Sequence, residues 1–439
     1  MIATLPANIA YAPLATFVPL YILAIGGNVV QVALAAVAFN AVAMSTSFIW
    51  GKISDDTRQR KSLILVSYIA ITILLTGMYY AHSIYGIMLL YAGIGIFQPA
   101  SNTYNLLVME TDRKENWSRN LTKLQAIGNI GVIIGLAIAA AIAGIYGLHL
   151  VLEAFVAASV ISIVFAAAFV IEPEVHPRIE RSLLNRINDA LLLMLTYPFR
   201  FVHMPKLHLE IKYMFKLHSA RHVARSLGTP IALLCIAWFM YNIGMSMLNT
   251  EYSASLAVHG LSKSPIFTIM LAGMVLQTVM FYYSKRIIGS EVSGRMGAAA
   301  VALRGIAYTM IGTSFLASGL AFFSYNIITY TIAIGIAYPL YFTSSYMLLL
   351  NSLGDERKGG MIGLYSGIGW IGYFLGAAVA AGAVTQYGFM RYYMISSIPL
   401  FAAMYIFLVM VRSAGATALH KKMLSGTASA NALPNRPAT

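Results

Sequence analysis

The stretch Ile127, Gly128, Ile130, Gly131, Gly135, Ala137, Ala139, Ala140, Tyr146, Gly147 recurs as Ile368, Gly369, Ile371, Gly372, Gly376, Ala378, Ala380, Ala381, Tyr387, Gly388, always at an offset of 241 residues. The chain is therefore an internal duplication. Both copies lie inside apolar runs too long and too poor in charge for a soluble core, so the repeated unit reads as a bundle of membrane helices.

Working outward from the repeat, hydrophobic residues make up 59% of the chain and charged residues 10%, with a mean hydropathy of +0.74. No soluble domain has that balance. A spanning helix needs roughly 20 mostly apolar residues. Twelve such runs fall at approximately 4–25, 30–50, 62–82, 86–108, 124–146, 148–171, 229–258, 265–284, 296–320, 323–350, 360–386 and 390–412. The expected fold is all-α and membrane-embedded, two pseudo-symmetric bundles of six helices. Residues 1–171 form the N-terminal bundle, 172–228 a cytoplasmic linker, 229–413 the C-terminal bundle and 414–439 a disordered tail. Arg304 falls inside the ninth run, where a small shift toward its end lets the side chain snorkel to the interface.

Cytoplasmic loops retain positive charge. Lys52, Arg58, Arg60 and Lys61 follow the second run, Arg113, Lys114, Arg119 and Lys123 the fourth, Lys285, Arg286, Arg295 and Arg304 the eighth, and Arg357 and Lys358 the tenth. The odd gaps hold only Lys263 and Arg391. Both termini and the central segment are thus expected in the cytoplasm, with the chain in the plasma membrane. The net charge of +14 is then a topology signal, and without a basic soluble face no nucleic-acid partner is expected. The start of the chain reads as the first span rather than a cleaved leader. The one cysteine, Cys235, reads as a small buried side chain.

Within the linker, Leu183, Leu184, Ile187 and Leu191 recur at helical spacing, and Leu209 to Leu227 mixes apolar residues with Lys212, Lys216, Arg221 and Arg225. Two readings stand equal: helices lying on the membrane surface against anionic lipid headgroups, or a helical loop packed beneath the bundles.

Between the second and third runs the sequence is Gly51-Lys-Ile-Ser-Asp55-Asp-Thr-Arg58-Gln-Arg60-Lys61. This resembles the G-x-x-x-D-x-x-x-R-R/K signature of the major facilitator superfamily, at the family's own place in the chain. The resemblance covers six plus six helices, a long middle loop and related halves. It implies a transporter working by alternating access, in which Asp55 locks the cytoplasmic side against the start of the eleventh helix with Arg60 as its basic partner and Glu110 as a third member. Arg58 occupies the usual glycine position and Gln59 the first usual arginine, so the lock is rebuilt around Arg60 or Arg58. The proline of the family's antiporter signature is missing after Gly135 and Gly376, and the helix-four arginine of proton-coupled members has no counterpart, Leu89 and Tyr91 standing in its place.

The resemblance further implies that the first, fourth, seventh and tenth helices line a central cavity. The fourth carries Gln98, Asn102 and Asn105 on one face, and the seventh carries Asn242, Ser246 and Asn249 at the same spacing. The first adds Asn8 and Tyr11, the tenth Asn326, Tyr330, Tyr338 and Tyr341. Amides and phenols bind a solute without the cost of a buried charge. With no ionisable side chain expected at mid-span, the solute is expected to be small and neutral or weakly polar, its transport facilitative or weakly coupled through Glu153 or Glu251 near the outer ends. The alternatives are a proton-coupled symporter or drug exporter of the same fold, and a receptor or scaffold that retains the fold without transporting. No catalytic group, metal site or cofactor is expected, and the protein is expected to act as a monomer on a small-molecule substrate.

Overall fold

The computed structural model describes residues 2–57, 59–101, 103, 104, 107, 117–171, 230–288, 292–352 and 358–430. Among them there is helix and no strand. In chain order the helices are α1 (Thr4–Tyr11), α2 (Leu14–Ala24), α3 (Val29–Thr57), α4 (Arg60–Tyr80), α5 (Ile84–Ser101), α6 (Trp117–Ala143) and α7 (Gly147–Phe169). After the central segment come α8 (Pro230–Val258), α9 (Lys263–Ile287), α10 (Ser293–Ser314), α11 (Gly319–Tyr330), a π-helical stretch Thr331–Ala337, α12 (Tyr338–Ser352) and α13 (Lys358–Ala430). Nine segments of the described residues are long and apolar enough to cross a membrane. Residues 172–228, which carry the linker, lie outside the described residues.

Several breaks have a local cause. Pro13 sits between α1 and α2, where its missing N–H interrupts the ladder. Gly388 splits α13 at φ +69° and Gly147 opens α7 at φ +80°, so the last residue of the quoted repeat makes the same left-handed turn in both copies. A side chain there would be strained, which is why the turn calls for glycine. The helix after Gly388 continues to Ala430, through the stretch whose small polar composition leads to the expectation of a disordered tail. The run Ala416 to Leu424 is rich in good helix formers, and that local propensity extends the last helix.

Large apolar side chains point outward along the helices, among them Ile73, Leu89, Val164, Leu320 and Tyr405. In water such surface would be a liability; against lipid tails it is the ordinary outer face of a bundle.

Gly128, Gly131 and Gly135, and their counterparts Gly369, Gly372 and Gly376, face inward. A methyl group on Gly131 would strike the Leu5 carbonyl, and one on Gly135 the Ile9 carbonyl and the Pro13 ring at 2.9 Å, so α1 lies directly on α6. In the second copy, a methyl on Gly372 would lie 2.6 Å from the Phe239 carbonyl and one on Gly376 would strike the Ile243 carbonyl, so α8 lies on α13. Bare backbone against bare backbone is the reason for glycine at these positions.

Candidate functional site

These close approaches bring two asparagines to matching places. Asn8 Nδ2 donates to the Thr4 carbonyl at 2.8 Å, and Asn242 Nδ2 donates to the Trp238 carbonyl at 2.6 Å, each four residues back on its own helix. A carbonyl can only accept, so the NH₂ edge of each amide is the one committed.

Both asparagines line a cavity of about 610 Å³ between α1–α7 and α8–α13. Its wall contains Tyr11, Phe39, Asn40, Tyr68, Tyr91, Gln98, Gln125 and Asn129 from one side, and Trp238, Asn249, Tyr338, Phe342, Trp370 and Tyr373 from the other. Among the described residues that line it, none is Asp, Glu, Lys, Arg or His. Tyr11 shares its hydroxyl with Ser159 at 3.2 Å and Ser162 at 3.4 Å, tying α1 to α7. Asn249 Nδ2 donates to the Tyr373 hydroxyl, tying α8 to α13. A second cavity of about 240 Å³ borders the first and shares Met245, Asn249 and Tyr338 with it.

The sequence-derived candidates divide. Asn8, Tyr11, Gln98, Asn242, Asn249 and Tyr338 line the larger cavity, and Tyr330 the smaller. Ser246, Asn326 and Tyr341 line neither. Asn326 is fully buried, where it accepts from the Tyr252 hydroxyl at 3.1 Å and donates to Ser314 Oγ at 2.9 Å, so it clamps α11 to α8 and α10. Tyr341 stacks on Tyr241 at 3.8 Å between ring centres, behind the wall. Asn102, Asn105, Glu110 and Arg58 lie outside the described residues, as do the side chain of Asp55 and the surroundings of Gly51. Of the motif between α3 and α4, Arg60 is buried and its guanidinium donates to the Ser54 carbonyl and hydroxyl, closing the turn. Of the two residues in the place of the family's helix-four arginine, Leu89 points outward and Tyr91 lines the cavity.

Two charged residues depart from expectation. Glu251 is not interfacial: it is fully buried in α8, and neither carboxylate oxygen has a hydrogen-bond partner among the described residues. Reading it from chain position toward the end of a span missed that the neighbouring helices close over it. Arg304 does not snorkel. It is fully buried midway along α10, with Nε donating to the Tyr308 hydroxyl at 3.0 Å and Nη1 donating to the Tyr241 hydroxyl. The faces of Tyr241, Tyr308 and Tyr338 stand 4.9, 5.4 and 5.7 Å from its guanidinium carbon. Ring faces carry partial negative charge and replace water around the cation, so the side chain stays inside. Glu153 is exposed on α7.

Sequence reasoning missed Trp238, Trp370, Tyr373 and Phe39. Trp238 was within reach, because it stands one helical turn before Asn242 and so shares its face. The others carry no signal of their own, since aromatic residues are as common on lipid-facing as on inward faces. No cluster of metal-binding side chains occurs among the described residues.

The profile of the Major Facilitator Superfamily matches residues 1–322. None of the curated protein sequences matches the chain. Among solved structures, the chain is similar to the nucleoside transporter NupG, with a TM-score of 0.68 and 12% identity over 93% of this chain and 98% of that one. It is similar also to a POT family transporter in complex with a thioalcohol-conjugated peptide, with a TM-score of 0.70 and 12% identity over 94% and 95% of the two chains. The peptide transporter POT in complex with alafosfalin gives 0.71 and 11% over 94% and 93%.

Proposed function

The chain belongs to the Major Facilitator Superfamily and is a multi-pass membrane transporter rather than an enzyme, and from that premise we propose that it carries a small neutral or weakly polar organic solute by alternating access. The observation that carries this reading is the cavity wall of amides and aromatic rings, without Asp, Glu, Lys, Arg or His among its described residues. A charged solute entering such a wall would lose its hydration without gaining a counterion. The similar structures include a nucleoside transporter and a peptide transporter.

Alternating access is tested with a single cysteine. In a Cys235→Ser background, Asn249→Cys should react with an impermeant thiol reagent from either face of a sealed vesicle, and a transported solute should change both rates. Reaction from one face only, with a bound solute that never crosses the vesicle wall, would instead make the protein a receptor that keeps the fold.

A second reading has its own observation. Glu251 is a buried carboxylate whose two oxygens have no hydrogen-bond partner among the described residues, the setting in which a membrane carboxyl exchanges a proton during transport. Accumulation driven by an imposed pH gradient and lost in Glu251→Gln would select the proton-coupled version; equal uptake with and without the gradient would select the facilitative one.

The same reading includes twelve spans in two bundles of six, with both termini and residues 172–228 in the cytoplasm, in the plasma membrane, and a monomer whose linker meets anionic headgroups. Reporters after Thr439 and within 172–228 should then lie inside and one at Ser318 outside. It also makes Gly51, Asp55, Arg58, Arg60 and Glu110 the cytoplasmic lock, so Asp55→Asn should shift the population toward inward-open forms.

A further inference from the structure

The smaller cavity lies between the two halves of the chain, with α2 and α6 on one side and α8, α9 and the π-helical stretch Thr331–Ala337 on the other. Around it the packing is tight. A methyl on Gly273 would meet the Tyr330 ring at 2.7 Å, and one on Gly335 would meet Leu276 Cβ at 2.9 Å, so α9 and the π-helical stretch touch with no room for another carbon. Beside contacts this close, a void of about 240 Å³ is not slack packing. Helical turns of the π type are rare and occur mostly at functional sites.

The polar groups of this wall are uncharged, and one is idle. Ser253 is buried, and its hydroxyl has no hydrogen-bond partner among the described residues. Gln277 adds a buried amide from α9, and Asn249, one turn before Ser253 on α8, stands at the boundary with the larger cavity. Among the described residues that line the smaller cavity, none is Asp, Glu, Lys, Arg or His. Ala12 and Ala15 also line both cavities, and Ala15 is exposed although it lies between the two halves, so open space runs past it.

We infer that the smaller cavity is a binding subsite for an uncharged group bearing a hydroxyl or a carboxamide, entered from the larger cavity past Ala15. The subsite stands on its own geometry and goes beyond the reading of the larger cavity as the transport site. A charged group would lose its hydration there and find no counterion among the described residues of the wall. Water can satisfy the Ser253 hydroxyl. A hydroxyl or carboxamide that displaces the water restores the hydrogen bond, whereas an alkyl group leaves the serine stranded.

The test places one reporter thiol in the wall of the full-length protein in liposomes. Met274 lines the smaller cavity and not the larger, so Met274→Cys in a Cys235→Ser background should react with methyl methanethiosulfonate, a small neutral thiol reagent. Propionamide and propane-1,2-diol at about 100 mM should each slow that labelling about threefold, as befits ligands of a few atoms. Propionate and propylammonium, similar in size but charged, should not. Ser253→Ala and Gln277→Leu, added singly to the reporter, should each raise the protecting concentration about tenfold. Ala15→Leu should slow labelling by closing the way in. Size-exclusion profiles like the parent's would show that the variants fold.

A thiol that never reacts would make the cavity a sealed void and overturn the subsite, as would labelling that none of the probes slows. Equal protection by propionate or propylammonium would overturn the uncharged class. Protection indifferent to both Ser253→Ala and Gln277→Leu would overturn the polar assignment, and unchanged labelling in Ala15→Leu would overturn the route. The Asn249→Cys measurement of alternating access is separate, so the subsite and the transport site fail independently.

Discussion

Helix α1 with its continuation α2, and helix α8, meet the glycine faces of α6 and α13 through matching atoms, the Ile9 carbonyl over Gly135 and the Ile243 carbonyl over Gly376. Asn8 and Asn242 correspond by the same offset as Ile9 and Ile243, as do the left-handed glycines Gly26 and Gly260 that end the two runs. Counted by that offset, Phe17 stands where Glu251 stands. Both are fully buried. Phe17 packs against Tyr21 at 5.3 Å and Phe155 at 5.6 Å, whereas both oxygens of Glu251 are without a partner among the described residues. A position that accepts a phenyl ring in one copy does not need a carboxylate for packing. The glutamate costs stability by its burial.

The strongest test of the shared part of this comparison is the glycine face. Gly376→Leu should abolish folded protein, and Gly376→Ala should cost about 1–3 kcal/mol by pushing α8 off α13. Gly382 is the control, because nothing lies within 4 Å of a methyl built there. Gly382→Ala should be neutral or stabilising by up to about 1 kcal/mol. Similar melting temperatures for the two alanine variants would deny the backbone contact.

The contrast between Phe17 and Glu251 makes the next prediction. Phe17→Ala should cost about 3–5 kcal/mol, the range for a large aromatic removed from a packed core. Glu251→Gln should leave thermal stability unchanged or higher while altering only transport driven by a pH gradient. A Glu251→Gln protein that melts well below the parent would show a structural partner for the carboxylate and dissolve the contrast.

Arg304 belongs to the C-terminal half alone in this comparison. Arg304→Met removes the cation but keeps much of its length, and should cost about 2–4 kcal/mol as the hydroxyls of Tyr241 and Tyr308 lose a charged donor. Arg304→Lys should recover part of that but not the planar contact with the rings. Equal melting of Met and Lys variants would mean that the charge matters less than the space.

The smallest effect is expected at the clamp on α11. Tyr252→Phe removes the 3.1 Å hydrogen bond to Asn326 and should cost about 0.6 kcal/mol, the average for such a contact between membrane helices. A double-mutant cycle with Asn326→Ala measures it, and a coupling near zero would leave Asn326 held by Ser314 and its own helix alone.

Much of this was legible in the chain itself. Hydropathy and length mark out the helices, because each span must satisfy its own backbone in lipid and announces itself as a continuous run. The repeat at 241 residues marks the duplication, because glycine is required wherever two backbones touch and nothing larger can replace it. The amides of α1 and α8 stood out for a similar reason, being costly residues inside apolar runs.

What the sequence left undecided depends on rotation and on neighbours from distant parts of the chain. Nothing local distinguishes Asn326, which closes a clamp, from Asn249, which borders both cavities; the difference is which way α11 and α8 are turned when they pack. Arg304 reads as an interfacial residue until Tyr241, 63 positions earlier, and Tyr308 and Tyr338 are brought around it. Glu251 reads as a residue near a span end until other helices bury it. A lone charge declares its cost in the sequence, but only the tertiary structure supplies, or withholds, the groups that offset it.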